Sequence, residues 1–287
     1  MTEKPTLGVI GGSGLYNISG LTSQVTYDLE TPFGKPSAPL VQGDLAGRSV
    51  VFLARHGIGH HISPTEVNYR ANIYALKNLG VEKVVSISAC GSLREDYIPG
   101  EIVIPDQLFD FTRERARSFF GEGLVVHVGT ANPYCPNLAE KVGDAVNQTG
   151  TNVHMGGTLI TIEGPRFSTR AESNLFRAWG ISIIGMTACP EAFLAREAEM
   201  CYATMAHVTD YDVWHTTEEP VNLEMVLRTL NKNTEVAQKA LINLLDNMDY
   251  EPTCDCRTAL ADSIVTKHDI IPPETLKKVD LFIRKYF

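Results

Sequence analysis

What this 287-residue chain lacks sets its first bounds. No apolar run approaches the roughly 18 residues that a bilayer-spanning helix needs, so no membrane partner is expected. The N-terminus lacks the apolar core of a secretory signal, which makes the cytoplasm the expected location. Basic residues are outnumbered 25 to 34, and the formal net charge of -9 speaks against nucleic acid as the main partner, though not against a local phosphate pocket. Cysteine is sparse: Cys90, Cys135, Cys189, Cys201, Cys254 and Cys256 cannot make the dense framework of a disulfide scaffold, and buried thiols are expected. Cys254-Asp-Cys256 stands apart as a C-x-C pair. Nothing near it in sequence supplies the other half of a metal site, so a structural pair in the tail is expected and no metal is. Repeats, low-complexity tracts and linker-like stretches are missing too, so residues 1–287 read as one domain.

What is present is a 44% hydrophobic chain, enough for a substantial core, with a recurring order of strand and helix. Leu7 to Ile10 is a short apolar strand, and Val50 to Ala54 is the next. Ser63-Pro64-Thr65-Glu66 has the letters of a capping box and predicts a helix to about Leu79, closed by Gly80. Val81 to Ser88 is a strand, and Glu101 to Asp106 a shorter one. Residues 108–135 lack a clear period and read as an elaborated loop carrying His127. Pro136 to Val146 is a helix and Gly157 to Ile162 a strand. Thr169 to Glu172 forms a second capping box, opening a helix that stops at Gly180. Ile181 to Gly185 is a strand, a helix runs from about Pro190 to Glu199, and Cys201 to Val208 is a buried strand. A long amphipathic helix over Leu223 to Leu245 and a short one after Pro272-Pro273 complete the chain. The pattern predicts an α/β fold: a central, mostly parallel or mixed sheet flanked by helices.

Six strand ends carry conspicuous polar or glycine-rich groups, near Ser13, Arg55, Ser88, Glu163, Thr187 and Asp210. Ligands of open α/β sheets bind beyond the carboxyl ends of strands, so the recurrence says more than any one motif. Gly11-Gly12-Ser13-Gly14 lets backbone N–H groups approach an anion, but it matches neither the dinucleotide fingerprint nor the P-loop, and a plain turn is an equal reading. Arg55-His56-Gly57 supplies a guanidinium fork suited to phosphate oxygens, against an exposed basic loop as the alternative. His56, His60 and His61 lie close together, but no carboxylate or cysteine near them completes a metal site. Asp210 and Asp212 follow the last buried strand. If the extended conformation persists they share one face and can read an amino group and protonate a ring nitrogen; otherwise they form an acidic turn in water.

Taken in order, Gly11-Gly12-Ser13-Gly14, Thr31-Pro32-Phe33-Gly34-Lys35-Pro36, Leu53-Ala54-Arg55-His56-Gly57, Ala89-Cys90-Gly91-Ser92-Leu93-Arg94, Thr161-Ile162-Glu163-Gly164-Pro165-Arg166-Phe167 and Thr209-Asp210-Tyr211-Asp212 resemble the trimeric nucleoside phosphorylases, specifically those acting on S-methyl-5'-thioadenosine. The likeness spans about residues 6 to 245. It implies that Ser13, Arg55, His56, Ser88 and Thr187 bind inorganic phosphate, with Ala89 and Met186 lining the ribose and phosphate region. It implies Phe167 against the purine, Ser168 orienting Asp210, and Asp210 and Asp212 at N6 and N7 of adenine. Val226 and Leu227 resemble the wall of a 5'-methylthio pocket, where Leu223 replaces a smaller residue of some relatives. His127 resembles a residue reaching that pocket from an adjacent subunit of a homotrimer, with His60 nearby. The implied reaction is phosphorolysis to adenine and 5-methylthioribose 1-phosphate, with phosphate as co-substrate and no cofactor. A broader adenosine phosphorylase, a nucleosidase and a non-catalytic nucleoside-binding protein are the alternatives.

Overall fold

The computed structural model describes residues 4–12, 18–215, 223–248 and 253–287, with side chains for all of these except 223–233. Its strands are β1 (Leu7–Gly11), β2 (Thr22–Tyr27), β3 (Leu40–Leu45), β4 (Arg48–Ala54), β5 (Lys83–Ser92), β6 (Ile102–Ile104), β7 (Gln107–Phe111), β8 (Val153–Met155), β9 (Thr158–Ile162), β10 (Ile183–Gly185) and β11 (Cys201–Asp210). The helices are α1 (Tyr69–Asn78), α2 (Pro136–Asn147), α3 (Arg170–Ala178), α4 (Ala188–Glu197), α5 (Leu223–Asp246) and α6 (Pro273–Ile283).

The sheet is mixed and branches at β5. One path runs β2-β3-β4-β1-β5-β10-β9-β7, while β11 also pairs with β5 and leads on to β6 and β8. β5 is parallel to β1 and to β11, and antiparallel to β10 where its last residues turn away. Strand alternation divides the core. Leu7 and Val9 of β1 join Val85 and Ile87 of β5 beneath α2 and α5, whereas Ile10 and Val84 join Ile73 and Leu76 of α1, Leu194 of α4 and Phe282 of α6 on the opposite face.

Local signals placed most elements. The Thr169–Glu172 capping box forms with both reciprocal bonds, and Gly80 sits at φ +86° just past α1, a conformation in which glycine carries no Cβ penalty. Ser63 and Glu66 also bond to each other, but they close only a single turn. α1 starts instead after Asn68, whose side chain accepts the Ala71 N–H while its amide donates to Phe33 O. The region read as a loop contains strand β7, which pairs with β9.

The C-x-C tail also departs from expectation. All six cysteines are free thiols, and Cys254 and Cys256 meet Cys135 and Cys201 rather than forming an isolated pair.

Candidate functional site

β5 is the spine of the site. Its residues are buried up to Ile87, partly open at Ser88 and Ala89, and buried again from Cys90, so a cleft reaches the middle of a central strand. Arg55 stands on one side of this opening. Its backbone N–H donates to Gly11 O at the end of β1, and its Nη1 donates to Ile87 O at 3.3 Å, directly before Ser88. On the other side, β10 leads through Gly185, beside Ala89 O, to Met186 and Thr187. Thr187 leads into α4 and its hydroxyl makes no cap bond; the backbone is non-helical at Cys189, whose N–H donates to Thr161 Oγ1 at 3.2 Å, so the Thr187 hydroxyl rather than a helix N-terminus is the donor left for an anion. Ser13, the remaining expected phosphate ligand, lies outside the described residues.

Arg55 does not present its fork to the cleft. At 2% exposure it is clamped by Glu191 of α4, with Nε and Nη2 each 2.8 Å from a carboxylate oxygen, and Nη2 also donates to Ser86 Oγ at 2.7 Å. Tyr202 Oη donates to the same carboxylate at 2.8 Å. With Ile87 O taking one Nη1 hydrogen, one N–H of Nη1 is left for a ligand. Burial would lower the guanidinium pKa, but Glu191 outweighs it and the pKa rises. Glu191 is thus a site residue that sequence reasoning missed; its only local sign is an acidic residue in a first helical turn, 136 residues from its partner.

His56 is partly buried, and burial first, then Arg55, holds its pKa down at about 4, so the ring is neutral at pH 7. Its Nδ1 lies 2.9 Å from Ile62 O; this assigns the proton to Nδ1 and leaves Nε2 as an acceptor. His60 stacks on this ring with centroids 4.4 Å apart.

The carboxylates meet differently from the extended-strand expectation. A bulge interrupts β11 between Val208 and Asp210, and Asp212 takes φ +52°, so the two acids are joined by a turn rather than by strand alternation. The Asp212 N–H donates to Asp210 Oδ1 at 2.7 Å, and Thr209 Oγ1 donates to Asp210 Oδ2 at 2.6 Å. Ser168, expected to orient Asp210, is buried with no partner for its hydroxyl among the described residues; Thr209 and the Asp212 backbone do that work. Burial pushes Asp210 up to about 6, against the pull of the Thr209 bond, and raises Asp212 in the face of the Ser173 hydroxyl. Asp212 Oδ2 is buried without a well-formed hydrogen bond among the described residues, and the Ser173 hydroxyl is the side-chain group that acts on this carboxylate.

β5 joins both halves. Asp210 pairs with Gly91, four residues beyond Ile87, so cradle and clamp lie about 13 Å of strand apart on one rim. Gly91 permits the approach: a Cβ there would come within 2.9 Å of Asp210 Oδ1 and 3.2 Å of Asp212 Cβ.

A second missed residue ties the remaining loops. Arg115 is 6% exposed, and its Nη1 reaches the carbonyls of Met186 and Cys189, each at 2.7 Å, while Nη2 reaches Glu163 O at 2.7 Å. Burial opposes ionisation of Glu163, but bonds from the Arg113 N–H, Thr65 and Arg115 hold it at about 2. These contacts bring residues 163–168 and the turn after His60 toward Met186. Phe167 there is 38% exposed. Val226 and Leu227 fall in the early turns of α5, with side chains outside the described residues. His127 is exposed on a segment held by the C-terminal tail, its N–H donating to Ser263 O at 2.8 Å.

No helix among the described residues is long and apolar enough to cross a membrane. The family model described as the phosphorylase superfamily matches residues 6–246. An S-methyl-5'-thioadenosine phosphorylase from Koribacter versatilis is 50% identical over 281 residues, covering 98% of this chain and 96% of the relative. One from Geobacter sulfurreducens is also 50% identical, covering 98% of each. The crystal structure of a methylthioadenosine phosphorylase from an antarctic soil metagenomic library superposes with a TM-score of 0.92 at 44% identity, covering 98% of this chain and 99% of that one. The Schistosoma mansoni methylthioadenosine phosphorylase in complex with adenine superposes at 0.84 with 37% identity, covering 90% and 98%. Sequence and architecture agree over nearly the whole length, and the chain belongs to the phosphorylase superfamily, within its S-methyl-5'-thioadenosine phosphorylase family.

Proposed function

We propose that the chain catalyses phosphorolysis of S-methyl-5'-thioadenosine, releasing adenine and 5-methylthioribose 1-phosphate. The observation that carries the reading is the meeting of an anion cradle with a buried carboxylate pair along Ser88–Gly91 of one strand. A phosphate oxygen forms the new bond to the ribosyl carbon as the bond to N9 breaks. The bonding pair leaves with adenine, and a carboxyl of the Asp210–Asp212 pair supplies a proton at N7. Thr187, Ser88, Ser13 and the last Nη1 hydrogen of Arg55 are assigned as donors to phosphate, and His56 Nε2 as the acceptor for the O–H of a singly protonated phosphate, with no further cofactor.

The carboxylates also select the base. A 6-amino group donates to them, whereas a 6-keto group sets acceptor against acceptor, a buried mismatch of about 1–3 kcal/mol that can discriminate by roughly 10⁴ or more. Adenine nucleosides are therefore preferred over inosine. Solved relatives from Schistosoma mansoni carry the name adenosine/methylthioadenosine phosphorylase, which keeps adenosine as a second substrate. We assign the protein to the cytoplasm and to a homotrimer. Exposed His127 lies beside exposed Val125 and Val265, and in a trimer this apolar edge would pack on a neighbour and carry His127 to its 5' pocket.

Adenine release from methylthioadenosine, followed with and without added phosphate, tests the reading. Release that requires phosphate is expected. Equal release without phosphate would make the protein a nucleosidase, and faster turnover of inosine than adenosine would remove the base assignment.

A further inference from the structure

Cys135, Cys201, Cys254 and Cys256 come from three separate parts of the chain, and their four sulfurs lie within 4.8 Å of one another. Cys135 caps α2, Cys201 opens β11, and the other two belong to the tail. Three are no more than 3% exposed, and Cys254 is half-buried at the surface side. We propose that these four thiolates bind a single zinc ion in a tetrahedral structural site.

The geometry suits the ion better than it suits disulfides. Zinc–sulfur bonds of about 2.3 Å set tetrahedral sulfurs about 3.8 Å apart, whereas a disulfide needs about 2.05 Å. The Cys201–Cys254 sulfurs are 3.5 Å apart, and all six thiols are free. Only small shifts would bring all four to a common centre, whereas two disulfides would require the quartet to collapse pairwise.

The surroundings favour thiolates. The Leu138 N–H points at Cys135 Sγ from 3.5 Å at a helix N-terminus, where negative charge is stabilised. Arg196 Nη1 lies 3.5 Å from Cys256 Sγ, and its guanidinium is fixed by Asp255 at 3.0 and 2.8 Å. Four thiolates around Zn²⁺ leave a net charge of -2, and the Arg196 N–H, held in place by Asp255, supplies Cys256 Sγ with an outer donor of the kind that steadies metal ligands.

Such a site would fasten the tail to β11 and α2, and through Arg196 to α4. Further along the same tail, Ser263 holds the His127 segment. The ion would therefore steady the edge that carries His127 without touching substrate.

Protein produced in zinc-supplemented medium and purified under reductant is expected to hold about one zinc per chain by elemental analysis, released as four thiols are titrated. Replacement by Co²⁺ should give the intense visible absorption of a tetrahedral cobalt thiolate. Cys254→Ser should lose at least about nine-tenths of the metal, and Cys90→Ala should keep it. Wild-type protein with less than a tenth of an equivalent of zinc and no cobalt spectrum, or peptide mapping that finds the four cysteines in disulfides in the reduced preparation, would overturn the proposal. The wild-type readings decide the matter even if a variant fails to fold.

Discussion

Gly91→Ala tests the central geometric claim, because the added methyl would stand between the two halves of the base clamp. Its carbon would lie 2.9 Å from Asp210 Oδ1, 3.0 Å from Ile184 Cγ2 and 3.2 Å from Asp212 Cβ. Ordinary contacts begin near 3.4 Å, so Asp210 must retreat by about half an ångström while Ile184, on the other side, yields by nearly as much. Overpacking of this kind costs about 1–3 kcal/mol, and a misplacement of about 1 Å can cost roughly 10²-fold in rate. Half that displacement predicts a fall of at least about tenfold in kcat/KM for the nucleoside. Phosphate should be little affected, since Ser88 and Arg55 lie at the other end of the opening. Steady-state kinetics with each substrate varied in turn, together with a thermal melt, provide the measurement. A stable variant whose nucleoside kcat/KM stays within twofold of wild type would refute the claim that this glycine clears space for the carboxylates.

Arg55→Ala should lower kcat/KM for phosphate by at least about 10²-fold and destabilise the fold by about 3–5 kcal/mol, because Glu191 is left buried without its partner. Replacing both by leucine should restore much of that stability but not the activity; denaturant melts and kinetics on the single and double variants separate the two roles. Asp212→Asn should reduce kcat/KM by at least about 10²-fold with a folded protein, and wild-type kinetics would remove Asp212 from the chemistry. His207 is fully buried with no ring partner among the described residues, and burial holds its pKa at about 4, below the unfolded value of 6.5. The unfolded chain therefore takes the proton first. The contribution of His207, about 3 kcal/mol, is present in full above pH 6.5 and disappears as pH falls to 4. Denaturant melts across this range should show a shallower slope for His207→Met, and an unchanged slope would show that the ring does not titrate in this way.

The site combines two electrostatic strategies. Arg55 is neutralised by Glu191 within the fold, and in the proposed reading this charge-balanced pair offers the cradle one directed N–H. The acids at the other end are buried, which disfavours their ionised forms, raising Asp212 and pushing Asp210 up to about 6. Attack at one end and protonation at the other would then occur across a short, stiff length of β5.

The amino-acid sequence alone determined what depends on neighbours in the chain. The apolar runs became β1, β4 and β11, Thr169 and Glu172 closed their capping box, and Gly80 and Gly180 ended helices where a left-handed residue was needed. Among the polar strand ends, those at Arg55, Ser88 and Asp210 likewise lie along β5 beside its opening at Ser88 and Ala89. Edge strand β2, mostly exposed and without a hydrophobic alternation, left no such sign. Ser63 had the letters of a helix start, but Asn68 prevailed because it is also anchored to Phe33 across 35 residues. Only the tertiary structure decided that the Arg55 fork belongs to Glu191, that Arg115 holds the Met186 carbonyl, and that a bulge and a positive φ make Asp210 and Asp212 a turn. It also gathered cysteines 135, 201, 254 and 256 into one cluster. Partners so far apart in sequence leave no periodic trace. Their pairing follows from where a packed sheet buries charge and thiol together, which no local window contains.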